Sequence, residues 1–182
     1  MRRTKALEST AYHEAGHAVA FHRLFPRGRI GGSLSVEPDQ QKSTAGRHSA
    51  EEVIFSLDED EGVIEDHCRR EAAYACAGYA ACVAVGHPED EAAAGCDQDF
   101  ADAERATGDV PAAKREALAL MGQPENVQAV RVVADELLRL GTIEAQILDV
   151  LLEHACGGEC TWADYCQFLL MAKVPLPPVT GT

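Results

Sequence analysis

Aromatic residues are scarce, 5% of 182 with a single Trp, while apolar residues reach 46% and are mainly Ala, Leu and Val. A core of such small side chains suits packed helices better than a β-sandwich. Basic residues are also few: 16 Lys and Arg stand against 30 Asp and Glu, for a formal charge of −14. Such a surface repels phosphate backbones and anionic lipid, so neither nucleic acid nor a membrane surface is an expected partner. No apolar run approaches the roughly 18 residues that span a bilayer. The first ten residues carry Arg2, Arg3 and Lys5 but lack the apolar stretch of a signal peptide, so a cytoplasmic location is expected. No glycine-rich loop ending in Lys-Ser or Lys-Thr occurs, which argues against phosphate-loop ATP chemistry. The cysteines are seven, an odd number: Cys68, Cys76, Cys82, Cys96, Cys156, Cys160 and Cys166. In a reducing compartment they are expected as buried thiols rather than a disulfide framework.

What is present is mostly helical pattern. A first helix is predicted over about residues 7–25, capped near Thr4 or Ser9 and stopped by Pro26 and the glycines that follow. Alternation at 33–37 predicts a short strand, with 44–48 as its possible hairpin partner. Residues 62–85 read as one helix rich in Ala and Gly, whose small side chains permit close approach; an acidic loop at 89–91 follows. Further helices are expected over 97–106, 111–121, 127–140, 142–154 (capped by Thr142) and 162–173. The expected architecture is therefore mainly α, a multi-helix domain over 1–174 with a small β-hairpin or edge strand beside the first helix. A flexible Pro-rich tail, 175–182, completes the chain.

The strongest chemical signal is His13-Glu14-Ala15-Gly16-His17 in the middle of the first helix. Residues four apart on a helix face the same way, about one turn or 6 Å apart. Two imidazoles so placed can each give one nitrogen to a single Zn²⁺, leaving Glu14 beside the open position as general base for hydrolysis. Ala11, Tyr12, Ala18, Val19 and Phe21 flank the motif, which argues against a merely solvated helix face. A catalytic zinc wants a third protein ligand. The pattern in which a glycine and a third histidine follow is excluded, because Ala20 and Arg23 stand at those positions. Glu37 has the spacing of a thermolysin-like third ligand but falls in a strand beside Pro38; His22 turns off the ligand face.

The stretch Ala11-Tyr12-His13-Glu14-Ala15-Gly16-His17-Ala18 resembles the peptidase domain of the FtsH-type ATP-dependent zinc metallopeptidases. The likeness continues in Leu34-Ser35-Val36-Glu37-Pro38 and in Gly78-Tyr79-Ala80-Ala81-Cys82. It also extends to Gly95-Cys96-Asp97-Gln98-Asp99-Phe100 and to the segment 132–148, although only the first stretch is highly specific. The resemblance implies Asp99 as the third metal ligand, with Asp102 as the alternative register. It implies zinc-dependent cleavage of peptides or unfolded chains, with a separate ATPase or adaptor as a possible partner. The family's Arg and Glu in its Gly-Arg-x-Ala-Glu motif are replaced here by Tyr79 and Cys82. A degenerate zinc-binding homologue acting as a binding or regulatory protein is the alternative, and retention of Glu14 favours the enzyme. Oligomeric state stays open.

Three smaller features have plainer readings. His154 with Cys156, Cys160 and Cys166 fits no common zinc spacing, so core thiols are expected. The run Asp58-Glu59-Asp60-Glu61 reads as a solvated loop. The 33–37 strand reads either as structural packing on the zinc helix or as an edge along which an extended substrate pairs.

Overall fold

The computed structural model describes residues 4–25, 32–36 and 60–178. Within them the chain is mainly helical, with a two-stranded antiparallel sheet. The elements are α1 Lys5–Leu24, β1 Ser33–Ser35, α2 Glu61–Ala75, α3 Ala77–Ala84, α4 Glu89–Ala93 and α5 Asp97–Thr107. They continue as α6 Val110–Met121, α7 Pro124–Leu140, β2 Thr142–Glu144, α8 Ala145–Ala155 and α9 Trp162–Met171. No described helix is long and apolar enough to cross a membrane.

Helix α1 is the central element. Thr4 caps it by accepting the Leu7 amide on Oγ1 at 3.2 Å, and every residue from Glu14 to Phe21 is buried. It packs chiefly on α3 and α7. The contact with α3 is backbone-close. A Cβ on Gly16 would lie 2.5 Å from the Ala81 Cβ and 2.7 Å from the Ala77 carbonyl oxygen. The glycine between the two motif histidines is thus required by helix packing, and the alanines of α3 are its counterpart.

The predicted helix over 62–85 is two helices. It breaks at Cys76, which ends α2 and precedes α3. No proline or glycine marks this break, so periodicity alone carried the pattern through it. The acidic loop at 89–91 belongs to a short helix, α4.

Among the described residues β1 pairs with β2, a segment read from the sequence as the start of a helix. Leu34 faces Ile143 in the register Ser33↔Glu144, Leu34↔Ile143, Ser35↔Thr142, so the sheet joins distant parts of the chain rather than forming a hairpin. Residues 44–48 lie outside the described residues. The Val36 amide donates to the Gly141 carbonyl at 3.1 Å, extending the pairing. Gly141, at φ +80°, turns the chain out of α7, and β-branched Thr142 and Ile143 then run extended. Helix α8 therefore starts after Glu144, not at Thr142. Leu34 and Ile143 are both fully buried, which fixes the register.

A polar cluster ties the C-terminal end down. Glu136, on α7, is buried. It accepts from Arg139 Nε at 3.0 Å and from the Tyr165 hydroxyl of α9 at 3.0 Å. Arg139 also donates to the Pro175 carbonyl at 2.6 Å, fastening the first residue of the expected tail. Glu136→Ala should strand a half-buried cation and a buried phenol at once. A loss on the order of 3 kcal/mol is expected in urea unfolding, with Tyr165→Phe costing much less.

All seven cysteines are free thiols, but the expectation of burial holds for only three. Cys76, Cys82 and Cys96 are buried, whereas Cys68, Cys156, Cys160 and Cys166 are half-buried. Cys68 lies on α2 and Cys166 on α9, and Cys156 and Cys160 flank the turn at Gly157.

Candidate metal centre

Helix α1 aims His13 and His17 at the same point. Their Nε2 atoms are 3.2 Å apart, close to the roughly 3.3 Å edge of a tetrahedral site with 2.0–2.1 Å bonds to nitrogen. The carboxylate of Asp99 completes a triangle. Its Oδ2 lies 3.2 Å from His13 Nε2 and 3.7 Å from His17 Nε2. The circle through these three atoms has a radius of about 2.0 Å, the bond length zinc takes with imidazole and carboxylate. These three residues can hold a metal ion, and among the described residues no other group of three His, Cys, Asp or Glu does so.

Asp99 arrives from the first turn of α5, where helix amides and the macrodipole favour negative charge. Gly95, at φ +89°, bends the chain into that turn. Phe100 then anchors it, stacking edge-on to Tyr79 of α3 at 5.8 Å, with the Lys114 ammonium 3.5 Å above its ring centroid. The adjacent aromatic thus fixes the carboxylate's position. Burial works to raise the Asp99 carboxyl, but hydrogen bonds with His13 and His17 outweigh it and hold the group well below the usual carboxylate range. Asp102, the other register, is turned away. Its Oδ1 accepts from Gln98 and from Arg105, each at 2.8 Å, on an exposed face. Glu37 lies outside the described residues.

No family model and no curated protein matches this chain.

Glu14 is 6% exposed and forms no hydrogen bond to another described residue. Desolvation pushes its carboxyl up to about 7, with His13 pulling down and Asp99 pushing further up. A buried acid without a hydrogen-bond partner is costly, and such groups concentrate at functional sites.

Three features of the site were not read as such from sequence. The first is a main-chain atom: His17 Nδ1–H donates to the Tyr74 carbonyl at 3.1 Å. That carbonyl is in the last turn of α2, directly before the break at Cys76. With Nδ1 protonated, the Nε2 lone pair faces the cluster. The second is Gly78. A Cβ there would lie 2.5 Å from His13 Cε1, 2.6 Å from Nδ1 and 2.7 Å from Nε2, so the glycine makes room for the ring. The alanine-rich pattern around it was the available signal. The third is Cys96, whose Sγ is 3.8 Å from His13 Nδ1; burial pushes its thiol up to about 12.

Gly78→Ala should keep the fold, because alanine gains about 1 kcal/mol of helix propensity that offsets the crowding. The His13 ring must nevertheless move, so affinity for a metal ion at the cluster is expected to fall by about tenfold or more, measured by chelator competition.

Among the remaining histidines, His67 is buried and pairs with Glu71 at 3.1 Å. His87 stacks edge-on to Tyr12, and His22 is half-buried outside the cluster. His154 donates from Nδ1 to the Cys160 carbonyl at 3.2 Å, so its ring serves the turn before α9.

Proposed function

We propose that this chain is a zinc-dependent metallopeptidase that hydrolyses peptide bonds in peptides or unfolded chains, similar in its site to the FtsH-type peptidases. The observation that carries the reading is the convergence of His13, His17 and Asp99 on one point, with the buried carboxyl of Glu14 next to His13 in sequence. The donor set, two imidazoles and one carboxylate, fits zinc and leaves a coordination position for substrate or water. Zinc held there would supply a Lewis acid that polarises a carbonyl and acidifies water.

The chain's own residues do the rest. His17 is locked in the productive tautomer by the Tyr74 carbonyl. Asp99 contributes negative charge that partly neutralises the centre. Glu14 takes the proton given up by the attacking water and passes it to the departing amine nitrogen. A buried carboxylate that sits one residue from a ligand histidine is suited to both transfers. Folded substrates would need a separate ATPase or adaptor to open them, because no phosphate-loop motif occurs in this sequence. The acidic surface favours neutral or basic peptides over nucleic acid.

The test is chelator-sensitive, zinc-restored cleavage of a peptide panel by the parent and by Glu14→Gln. Cleavage by both alike, or by neither with zinc bound, would count against the peptidase reading.

A further inference from the structure

We propose that Cys96 is the positioning residue for His13, accepting the imidazole Nδ1–H on its sulfur and so holding the ring in place for the ion. This rests on the metal-site reading above. His17 has a main-chain carbonyl for this purpose. For His13 the structure offers the thiol instead, with Sγ 3.8 Å from Nδ1, within the longer reach of a hydrogen bond to sulfur.

The direction of the bond follows from the thiol's other partner. Cys96 Sγ lies 3.2 Å from the Ala92 carbonyl oxygen, which can only accept, so the S–H hydrogen is committed there. Only sulfur lone pairs remain for His13. The result is a relay of donors, Nδ1–H to Sγ–H to carbonyl oxygen, running from the imidazole into the end of α4. With its proton on Nδ1, His13 presents the Nε2 lone pair to the cluster, as His17 does. An outer hydrogen bond of this type makes imidazole a better ligand and limits its rotation.

Placement strengthens the argument. Cys96 is fully buried and is the N-cap residue of α5, three positions before Asp99. One short segment therefore carries a direct ligand and the outer partner of another. Gly78 clears one face of the His13 ring and Cys96 holds its far edge, so the ring is fixed by α3 and α5 together.

The test is Zn²⁺ affinity of the full chain by competition with a chromophoric chelator at fixed pH, alongside urea unfolding of the metal-free protein. Cys96→Ala is expected to weaken Zn²⁺ binding about 10- to 100-fold. Cys96→Ser, whose hydroxyl can accept and donate in the same places, should stay within about threefold of the parent. Cys82→Ala removes another buried thiol, one whose hydrogen goes to the Ser9 carbonyl. It should cost stability but leave affinity unchanged. If Cys96→Ala fails to fold, Cys96→Val fills the volume without an acceptor and takes its place. Unchanged affinity in Cys96→Ala or Cys96→Val overturns the proposal, as does an equal loss in Cys96→Ser. If the parent itself binds no Zn²⁺, the metal-site reading fails and this inference falls with it; if only the parent-to-variant difference is missing, the site stands and the role of Cys96 does not.

Discussion

Glu14→Gln is expected to lower peptide hydrolysis by about 10²–10⁴-fold while leaving zinc stoichiometry at the parent level. The amide keeps the shape of the side chain but cannot accept a proton, so the ligand triangle is untouched and the base is lost. The same substitution has a second signature in the metal-free protein. Burial raises the Glu14 carboxyl from 4.5 to about 7, so the folded state holds this proton more tightly than the unfolded chain does. Its stabilising contribution is fully present below about pH 4.5 and is lost as pH rises through about 7. Parent and variant should therefore differ in the pH dependence of their urea midpoints across that window, the metal-free parent losing ground toward neutrality. Equal cleavage rates in parent and variant would remove Glu14 from the chemistry. Identical pH profiles would mean that its carboxyl is better solvated than its burial indicates.

His17→Ala and Asp99→Ala should both abolish stoichiometric zinc, read by elemental analysis after dialysis against a weak chelator. Each deletes one corner of the triangle and leaves two ligands, too few to hold the ion against competing chelator. Asp102→Ala is the control, since its carboxylate is engaged with Gln98 and Arg105 and faces solvent. It should retain the parent's zinc. The two ligand variants are expected to differ in their metal-free stability. His17 is buried and donates to the Tyr74 carbonyl, so its loss leaves a cavity and removes a hydrogen bond that ties α1 to α2. Asp99 is more open, and removing it relieves the crowding of carboxylates around Glu14. Zinc retained in Asp99→Ala would show that another carboxylate completes the centre.

Much of the helical content could be read from apolar periodicity, because a helix that buries one face must repeat its small and apolar residues at that period. The places where the reading departed are informative. The α2–α3 break carries no proline or glycine, so it is imposed by how the two segments pack rather than by local chemistry. Thr142 has the residue type of a helix cap, yet it pairs with Ser35, because burying Leu34 against Ile143 outweighs a local capping preference. Cys96 was one apolar thiol among seven until α5 carried it to the edge of the His13 ring.

That His13 and His17 share one face was legible in the sequence alone, since four-residue spacing on a regular helix fixes which way the two side chains point whatever surrounds them. The choice between Asp99 and Asp102 was suggested by resemblance, but only the docking of Phe100 on Tyr79 and the pairing of Asp102 with Arg105 separates them. The Tyr74 carbonyl, the space over Gly78 and the Cys96 sulfur belong wholly to tertiary structure. Each acts across a gap between helices, and distances between helices depend on how every side chain in the interface packs, which no local pattern encodes.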